Sequence, residues 1–238
     1  MTGYIHSFES LAAVDGDGVR YGVFLAGCPL RCVYCHNPDT WQKSGIAMTA
    51  EELVKKISRY KPYFKSNGGV TFTGGEPLLQ AEFIKSAIPL LDASDIGYAI
   101  DTSGVLPLTD QVCEVLSHSA FVLLDLKFYD AETYKKYTGG DFTAVMKTLD
   151  YLESINKRTI IRTVVVPGIN DSEECIKKYV DIIKNKKCID KYELLAFHTM
   201  GFYKYTELGF PNPLADTEPL DTSVKTRLQE YADNILKF

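Results

Sequence analysis

Cys28, Cys32 and Cys35 bring three thiols within eight residues, in Cys28-Pro-Leu-Arg-Cys32-Val-Tyr-Cys35-His-Asn, directly after the apolar run Val23, Phe24, Leu25, Ala26. Thiolates are the protein ligands that iron–sulfur centres use, and gaps of three and two residues let a short loop wrap one face of a small cluster. Three thiolates do not complete the ligand set of a four-iron cluster. One iron is left for something that is not protein, which a reactive centre requires and a pure electron carrier does not. Two plainer readings use the same residues. A structural zinc site would take the three thiolates with His36, although zinc ligands usually come as two separated knuckles and a second knuckle is missing. A disulfide needs an oxidising compartment, to which nothing in the chain points. Cys113, Cys175 and Cys188 are scattered through helical or connecting segments and read as small core hydrophobes.

The elements that must hold this loop show in the hydrophobic pattern. Six short apolar or β-branched runs, Tyr21–Ala26, Val70–Thr73, Tyr98–Asp101, Phe121–Leu126, Thr159–Val166 and Tyr192–Phe197, alternate with longer helical patterns, the signature of βαβ units and a parallel sheet covered on both faces. A helix follows Thr49, with Thr49-x-x-Glu52 as a capping box. Others fit Leu78–Leu91, Thr109–Ser117, Phe142–Ile155, Ser172–Lys184 and Thr222–Leu236, and Asp171 or Ser172 would cap the fifth. No linker interrupts the chain, so the expectation is one α/β domain over residues 1–238, a partial (β/α)6 barrel with parallel strands. In such folds chemistry gathers where strands end. Cys28 follows the first run and Gly74-Gly75-Glu76 the second. Asp101-Thr102 end the third, Asp125 and Lys127 the fourth, Pro167-Gly168 follow the fifth, and His198 closes the sixth.

Composition narrows the class of function. At 238 residues the chain is long enough for a substantial core, and 45% hydrophobic with 24% charged residues is ordinary for a globular protein. A net charge of -5 argues against a broad nucleic-acid surface, so the partner is expected to be a protein or a small molecule. Met1–Ser10 has no secretory pattern and no stretch is apolar enough to cross a bilayer, from which a cytoplasmic location is expected.

The cysteine spacing resembles the radical S-adenosylmethionine superfamily, whose cluster loop is C-x3-C-x2-C. With His36-Asn37 after it, and Ile5-His6-Ser7-Phe8-Glu9 and Val14-Asp15-Gly16-x-Gly18-Val19-Arg20 before it, the chain is similar to that superfamily's activases of glycyl radical enzymes, from residue 5 to about residue 200. The resemblance implies a [4Fe-4S] cluster on Cys28, Cys32 and Cys35, with S-adenosylmethionine chelating the open iron through its α-amino and α-carboxylate groups. Reductive cleavage there would yield methionine and a 5′-deoxyadenosyl radical, so the cofactor carries the hard step. Gly74, Gly75 and Glu76 match a segment whose backbone approaches the methionyl amino group, where a Cβ would intrude. Asp125, Leu126 and Lys127 match a segment near the cofactor, with Lys127 pairing with its carboxylate or, on the plainer reading, forming a strand-end salt bridge.

By the same resemblance Tyr34, Cys35 and His36 lie against the adenine and His198 reaches the nucleoside, although a lone histidine is more often structural. Arg162 serves cofactor placement or charge balance. Asp101, Thr102, the Leu123 carbonyl and Asp125 would hold a monovalent cation, Na+ or K+, as hard oxygen ligands suit, unless the two aspartates simply face solvent. Asp15 and Gly16 belong to a loop that would meet the protein substrate. Asp17 stands where the family usually has proline, adding charge and loosening that loop.

The implied activity is hydrogen abstraction from a glycine Cα of a large partner protein. No cysteine lies between Cys35 and Gly74, where many activases of other glycyl radical enzymes carry a cysteine-rich insertion. That compact form implies, by resemblance, pyruvate formate-lyase as the substrate; flavodoxin or ferredoxin is expected as electron donor, and the protein is expected to be a monomer. The alternatives are activation of another glycyl radical enzyme, radical chemistry on a small molecule, and a non-catalytic iron–sulfur carrier with a fourth protein ligand. Alanine at Cys28, Cys32 or Cys35 is expected to abolish the visible absorbance of a reconstituted cluster, while alanine at Cys113, Cys175 or Cys188 leaves it. Bleaching by a member of the second group would reassign the ligands.

Overall fold

The computed structural model describes residues 1–12 and 16–236. Its strands are β1 (Thr2–Ala12), β2 (Arg20–Leu25), β3 (Ile46–Thr49), β4 (Gly69–Gly74), β5 (Tyr98–Thr102), β6 (Phe121–Asp125), β7 (Thr159–Val165) and β8 (Ile189–Ala196). They form an eight-stranded sheet in the order β3-β1-β2-β4-β5-β6-β7-β8. The helices are α1 (Ala50–Ile57), α2 (Lys61–Phe64), α3 (Ala81–Ala93), α4 (Asp110–His118), α5 (Ala131–Thr138), α6 (Phe142–Ser154), α7 (Glu173–Ile183), α8 (Tyr203–Leu208) and α9 (Thr222–Leu236). No helix among the described residues is long and apolar enough to cross a membrane.

Each of the six expected runs is a strand, and β2 with β4, β4 with β5 and β7 with β8 pair in parallel. Unexpected are β1, which pairs antiparallel with both β2 and β3, and β3 itself. β1 begins with one face covered and one wet, Gly3 and Ile5 buried while Thr2 and Tyr4 are exposed, and it is broken by His6, Ser7 and Glu9. It therefore lacks the continuous apolar run that marks a strand covered on both faces.

The chain divides into two compact groups of residues, and each is described on its own. The first holds residues 1–29, 40–102 and 106–123. Its β2 is buried along nearly its whole length. The expected capping box starts α1: Thr49 Oγ1 accepts from the Glu52 amide at 3.2 Å, and the Glu52 carboxylate accepts from the Thr49 amide at 2.8 Å. The helix expected from Leu78 is instead a short 3-10 turn, Pro77–Gln80, before α3. That turn delivers the Gln80 amide into the core. Its Nε2 donates to the carbonyls of Tyr4 (2.8 Å) and Ala26 (2.9 Å), and its Oε1 accepts from the Tyr4 amide at 2.8 Å. Gln80 thus ties β1 to the residue that follows β2, two positions before Cys28.

The second group holds residues 30–39, 103–105 and those from Leu124 on. Ser172 caps α7 through the Cys175 amide. From α7, Tyr179 donates its hydroxyl to the Lys127 carbonyl at 3.1 Å and accepts from Asn170 Nδ2 at 2.9 Å. Asn170, fully buried, also accepts from the Val166 amide at 2.7 Å and donates to the Val164 carbonyl at 3.0 Å, fixing the turn after β7. Gln229 of α9 accepts from the Leu194 amide and donates to the Tyr192 carbonyl, both at 2.8 Å, so a side chain satisfies the edge of β8.

Gln80→Leu keeps the approximate volume but takes the acceptor from the Tyr4 amide and a donor from the Tyr4 and Ala26 carbonyls. It is expected to lower the urea-unfolding free energy by about 2–4 kcal/mol; a change below about 0.5 kcal/mol would show the amide to be dispensable.

Candidate functional site

In the first group the thiol of Cys28 follows β2 after a tight backbone weave. The Gly27 amide donates to the Thr40 carbonyl (2.7 Å) and the Cys28 amide to the Trp41 carbonyl (3.2 Å). The Gly75 amide donates to the Leu25 carbonyl (2.9 Å) and the Glu76 amide to the Gly27 carbonyl (2.8 Å). Here the structure gives the glycine pair a reason different from ligand approach alone. A Cβ on Gly75 would stand 2.2 Å from the Gly27 oxygen, and Gly74, at φ +107°, would press on the backbone of Phe24 and Leu25. Glu76 is fully buried, and its Oε1 accepts from the Leu78 amide (3.1 Å) and the Thr102 hydroxyl (2.7 Å). Asp101 Oδ2 accepts from the Thr73 hydroxyl at 2.7 Å, and Leu123 is buried.

The loop of Asp15 and Gly16 is described only in part. Asp15 lies outside the described residues. Gly16 and Gly18 have positive φ, and a Cβ on them would meet the Phe121 ring and the Asn67 backbone respectively. Phe121 opens β6 and Asn67 precedes β4, so Gly16–Gly18 sits where these strands begin. Cys28 and Gly74 sit at or just beyond the other ends of β2 and β4, about 20 Å away along six residues of strand. The described part of this loop therefore does not join the strand ends that carry the cysteines.

The second group supplies the charged centre. Asp125 ends β6, and its Oδ2 accepts from Lys127 Nζ at 3.0 Å. Its Oδ1 accepts from Arg162 Nε at 3.1 Å and Nη2 at 3.0 Å. The Leu126 amide meanwhile donates to the Arg162 carbonyl at 2.9 Å. Burial pushes the Asp125 carboxyl up, but Lys127 and Arg162 outweigh it and hold the group below the usual carboxylate range. Burial likewise opposes the Lys127 charge, and Asp125 with Cys32 outweighs it, raising that ammonium well above its ordinary value. The strand-end salt bridge therefore exists. Its side chains are 10–27% exposed, and the Lys127 ammonium is a donor of the type that suits a carboxylate. A monovalent cation at Asp125 competes with two side-chain cations for the same oxygens.

Beyond the cysteines, the His36 and His198 rings stack with centroids 3.7 Å apart and planes 8° from parallel. His36 Nε2–H donates to the His198 carbonyl at 2.8 Å, which fixes its tautomer. Burial, with His198 and Lys204 beside it, pushes His36 down to about 4, and burial also lowers His198, so both rings are neutral at physiological pH. Tyr34 Oη and His198 Nδ1 are buried with no hydrogen-bond partner among the described residues. Unfilled polar atoms of this kind call for a partner, and both belong to residues expected to touch a nucleoside. The six cysteines, all described, form no disulfide. No group of three or more His, Cys, Asp or Glu among the described residues is gathered as for a metal ion. As residue types, the thiols of Cys28, Cys32 and Cys35 carry the donor chemistry that iron–sulfur clusters take.

A family model described as the Radical SAM superfamily matches residues 23–180. The pyruvate formate-lyase-activating enzyme of Clostridium pasteurianum is 45% identical over 237 residues, 99% of either chain. That of Staphylococcus epidermidis is 38% identical over 241 residues, 98% of this chain and 96% of its own. Among solved structures, Streptococcus suis SuiB bound to S-adenosylmethionine matches with a TM-score of 0.65 at 21% identity, over 89% of this chain and 46% of SuiB. A domain of pyruvate-formate lyase-activating enzyme from Bacteroides vulgatus matches with a TM-score of 0.55 at 23% identity, over 72% of this chain and 94% of that one. The chain spans less than half of SuiB, and both structural likenesses concern the fold alone.

Asp125→Asn removes the charge that two cations share. It is expected to cost about 3 kcal/mol of stability at neutral pH, since partly buried Lys127 and Arg162 are left uncompensated. Thermal or urea unfolding indistinguishable from wild type would make the trio a solvated surface cluster.

Proposed function

The chain belongs to the radical S-adenosylmethionine superfamily, and from that premise we propose that it activates pyruvate formate-lyase by removing a hydrogen atom from a glycine Cα of that enzyme. It is an enzyme of the radical S-adenosylmethionine kind, for which the family implies a [4Fe-4S] cluster and S-adenosylmethionine. The observation that carries the choice of partner is identity of 45% across 99% of the activating enzyme from Clostridium pasteurianum, end to end.

When bound, the cluster and S-adenosylmethionine supply the electron and the 5′-deoxyadenosyl radical that takes the hydrogen. The protein's part is placement. Cys28, Cys32 and Cys35 as thiolates would hold the cluster. Lys127 would hold the cofactor carboxylate through its ammonium, and Arg162 keeps Asp125 from turning away. The backbone of Gly74, Gly75 and Glu76 takes the amino group. The flat neutral pair His36 and His198, with the hydroxyl of Tyr34, takes the nucleoside, the unpartnered His198 Nδ1 and Tyr34 Oη supplying polar contacts. Glycine suits the target position because a radical at its Cα is delocalised over both flanking peptide groups and no side chain blocks approach. Flavodoxin or ferredoxin as reductant and a cytoplasmic setting complete the proposal.

With reductant and S-adenosylmethionine under strict anaerobiosis, the reconstituted protein is expected to produce 5′-deoxyadenosine. It should also place on pyruvate formate-lyase a radical with an electron paramagnetic resonance doublet, and pyruvate cleavage should appear with it. Deoxyadenosine without a lyase radical would move the partner to another glycyl radical enzyme; no deoxyadenosine would remove the chemistry. Lys127→Ala is expected to weaken S-adenosylmethionine binding roughly ten- to a hundredfold, the effect of losing a charge-assisted hydrogen bond, while the cluster still assembles. An unchanged Kd would return Lys127 to a purely structural ion pair.

A further inference from the structure

The segment after β8 is fastened to the second half of the cysteine loop by four independent contacts, all within the second group of residues. Lys204 Nζ donates to Asn37 Oδ1 at 2.8 Å and pairs with Asp39 Oδ2 at 2.9 Å. The Tyr205 hydroxyl donates to the Cys35 carbonyl at 3.0 Å. His36 Nε2 donates to the His198 carbonyl, and the rings of the two histidines stack. Gly201 runs so close to the same loop that a Cβ there would stand 2.2 Å from the His36 oxygen. The first half of the loop is fastened separately, the Arg31 and Val33 amides donating to the carbonyls of Thr138 (2.8 Å) and Tyr137 (2.9 Å) at the end of α5.

We propose that Lys204 and Tyr205 are positioning residues that hold the backbone from Cys35 to Asp39 in its cluster-binding form before any cluster is present. The inference rests on the reading of Cys28, Cys32 and Cys35 as cluster ligands. A loop without regular structure has many backbone conformations, and fixing each residue costs about 1–2 kcal/mol of conformational entropy. Where ligands lie on a mobile loop, that cost falls on metal binding. Here α8 has already met it. Tyr205 is buried at 2% exposure, so its hydroxyl must find a partner within the protein, and the Cys35 carbonyl is that partner. Lys204 and Asp39 are 19% and 26% exposed, so their pairing is better shielded from solvent and salt than an ordinary surface contact. Tyr205 constrains the peptide bond that leaves the last cysteine. Lys204 constrains the two polar residues beyond it, one on either side of Pro38.

Tyr205→Phe and Lys204→Met test this in two ways, with Lys204→Arg as the conservative control. In the apo protein, amide hydrogen exchange over residues 32–39 is expected to speed up about tenfold in the first two variants, the scale of one ordinary hydrogen bond, and to stay near wild type in Lys204→Arg. In the reconstituted protein, anaerobic loss of the cluster to an iron chelator is expected to accelerate by a similar factor in the same two variants and to be restored by Lys204→Arg. Exchange and release at wild-type rates in both variants would overturn the proposal, as would equal acceleration in Lys204→Arg. If the wild-type protein took up no cluster, the cysteine assignment would fall by itself, and this role for Lys204 and Tyr205 with it. The apo exchange would then report only whether α8 holds the loop. Should Tyr205→Phe not fold, Lys204→Met decides the matter, since its ammonium is partly exposed and its loss opens no cavity.

Discussion

A loop that carries reactive thiols cannot use its own backbone for regular hydrogen bonding, yet a buried amide or carbonyl left unpaired is costly. Much of the structure around residues 26–40 answers that constraint. Within the first group, the amides of Gly27 and Cys28 are met by the carbonyls of Thr40 and Trp41, and the Gly27 carbonyl is met by the Glu76 amide. The Gly-Gly-Glu turn is therefore fastened to the same stretch of backbone that presents Cys28. Gly75 has room for no side chain because its neighbour is that backbone. Within the second group, the amides of Arg31 and Val33 and the carbonyl of Cys35 are met by α5 and by Tyr205 of α8.

What the sequence made legible follows the strength of its periodic signal. Five of the six expected strands are buried along nearly their whole length and announce themselves as continuous apolar runs, while β8 instead mixes buried and exposed residues. The Thr49–Glu52 capping box and the Ser172 cap appear as expected. The helices that fasten the cysteine loop were not legible. α5, Ala131–Thr138, buries only Tyr134 and Thr138, and α8, Tyr203–Leu208, buries only Tyr205, so neither carries an amphipathic stripe long enough to stand out. Both end on glycine in the left-handed conformation, Gly139 and Gly209, a stop signal that reads as an ordinary turn when no periodic helix precedes it. Gln80 was hidden for a different reason. A polar residue inside an apolar helical pattern reads as its wet face, and only the fold shows that a 3-10 turn rotates this one into the core.

The candidate site divides along the same line. Residue types and spacing were enough to single out the three thiols, while the glycine pair and the Asp125–Lys127 strand end stood out through the family resemblance, since by themselves they read as a turn and a salt bridge. Spacing could not say which end of a strand Gly16–Gly18 would occupy. The order of β1 and β2 decides it: an antiparallel hairpin that leads into β2 must turn where β2 begins, while Cys28 follows where β2 ends. Nor could spacing reveal that both Asp125 oxygens are engaged.

Those engaged oxygens bear on how the site can distinguish its cofactor from other anions. Asp125 draws Lys127 and Arg162 to one carboxylate, so neither cation meets a ligand uncompensated. A site with two uncompensated cations would attract phosphates and other polyanions strongly. One cation, already partly satisfied and only 15% exposed, offers a single carboxylate a modest gain and a dianion little more. On the proposed reading, selectivity would come from groups that recognise the rest of the molecule, for which the buried Tyr34 hydroxyl and His198 Nδ1, without a hydrogen-bond partner among the described residues, are the candidates. A ligand that brings a carboxylate but no complementary polar edge leaves those two atoms unsatisfied in the interior, and the cost of that, about 1–3 kcal/mol for each, is of the same order as what the charge contributes.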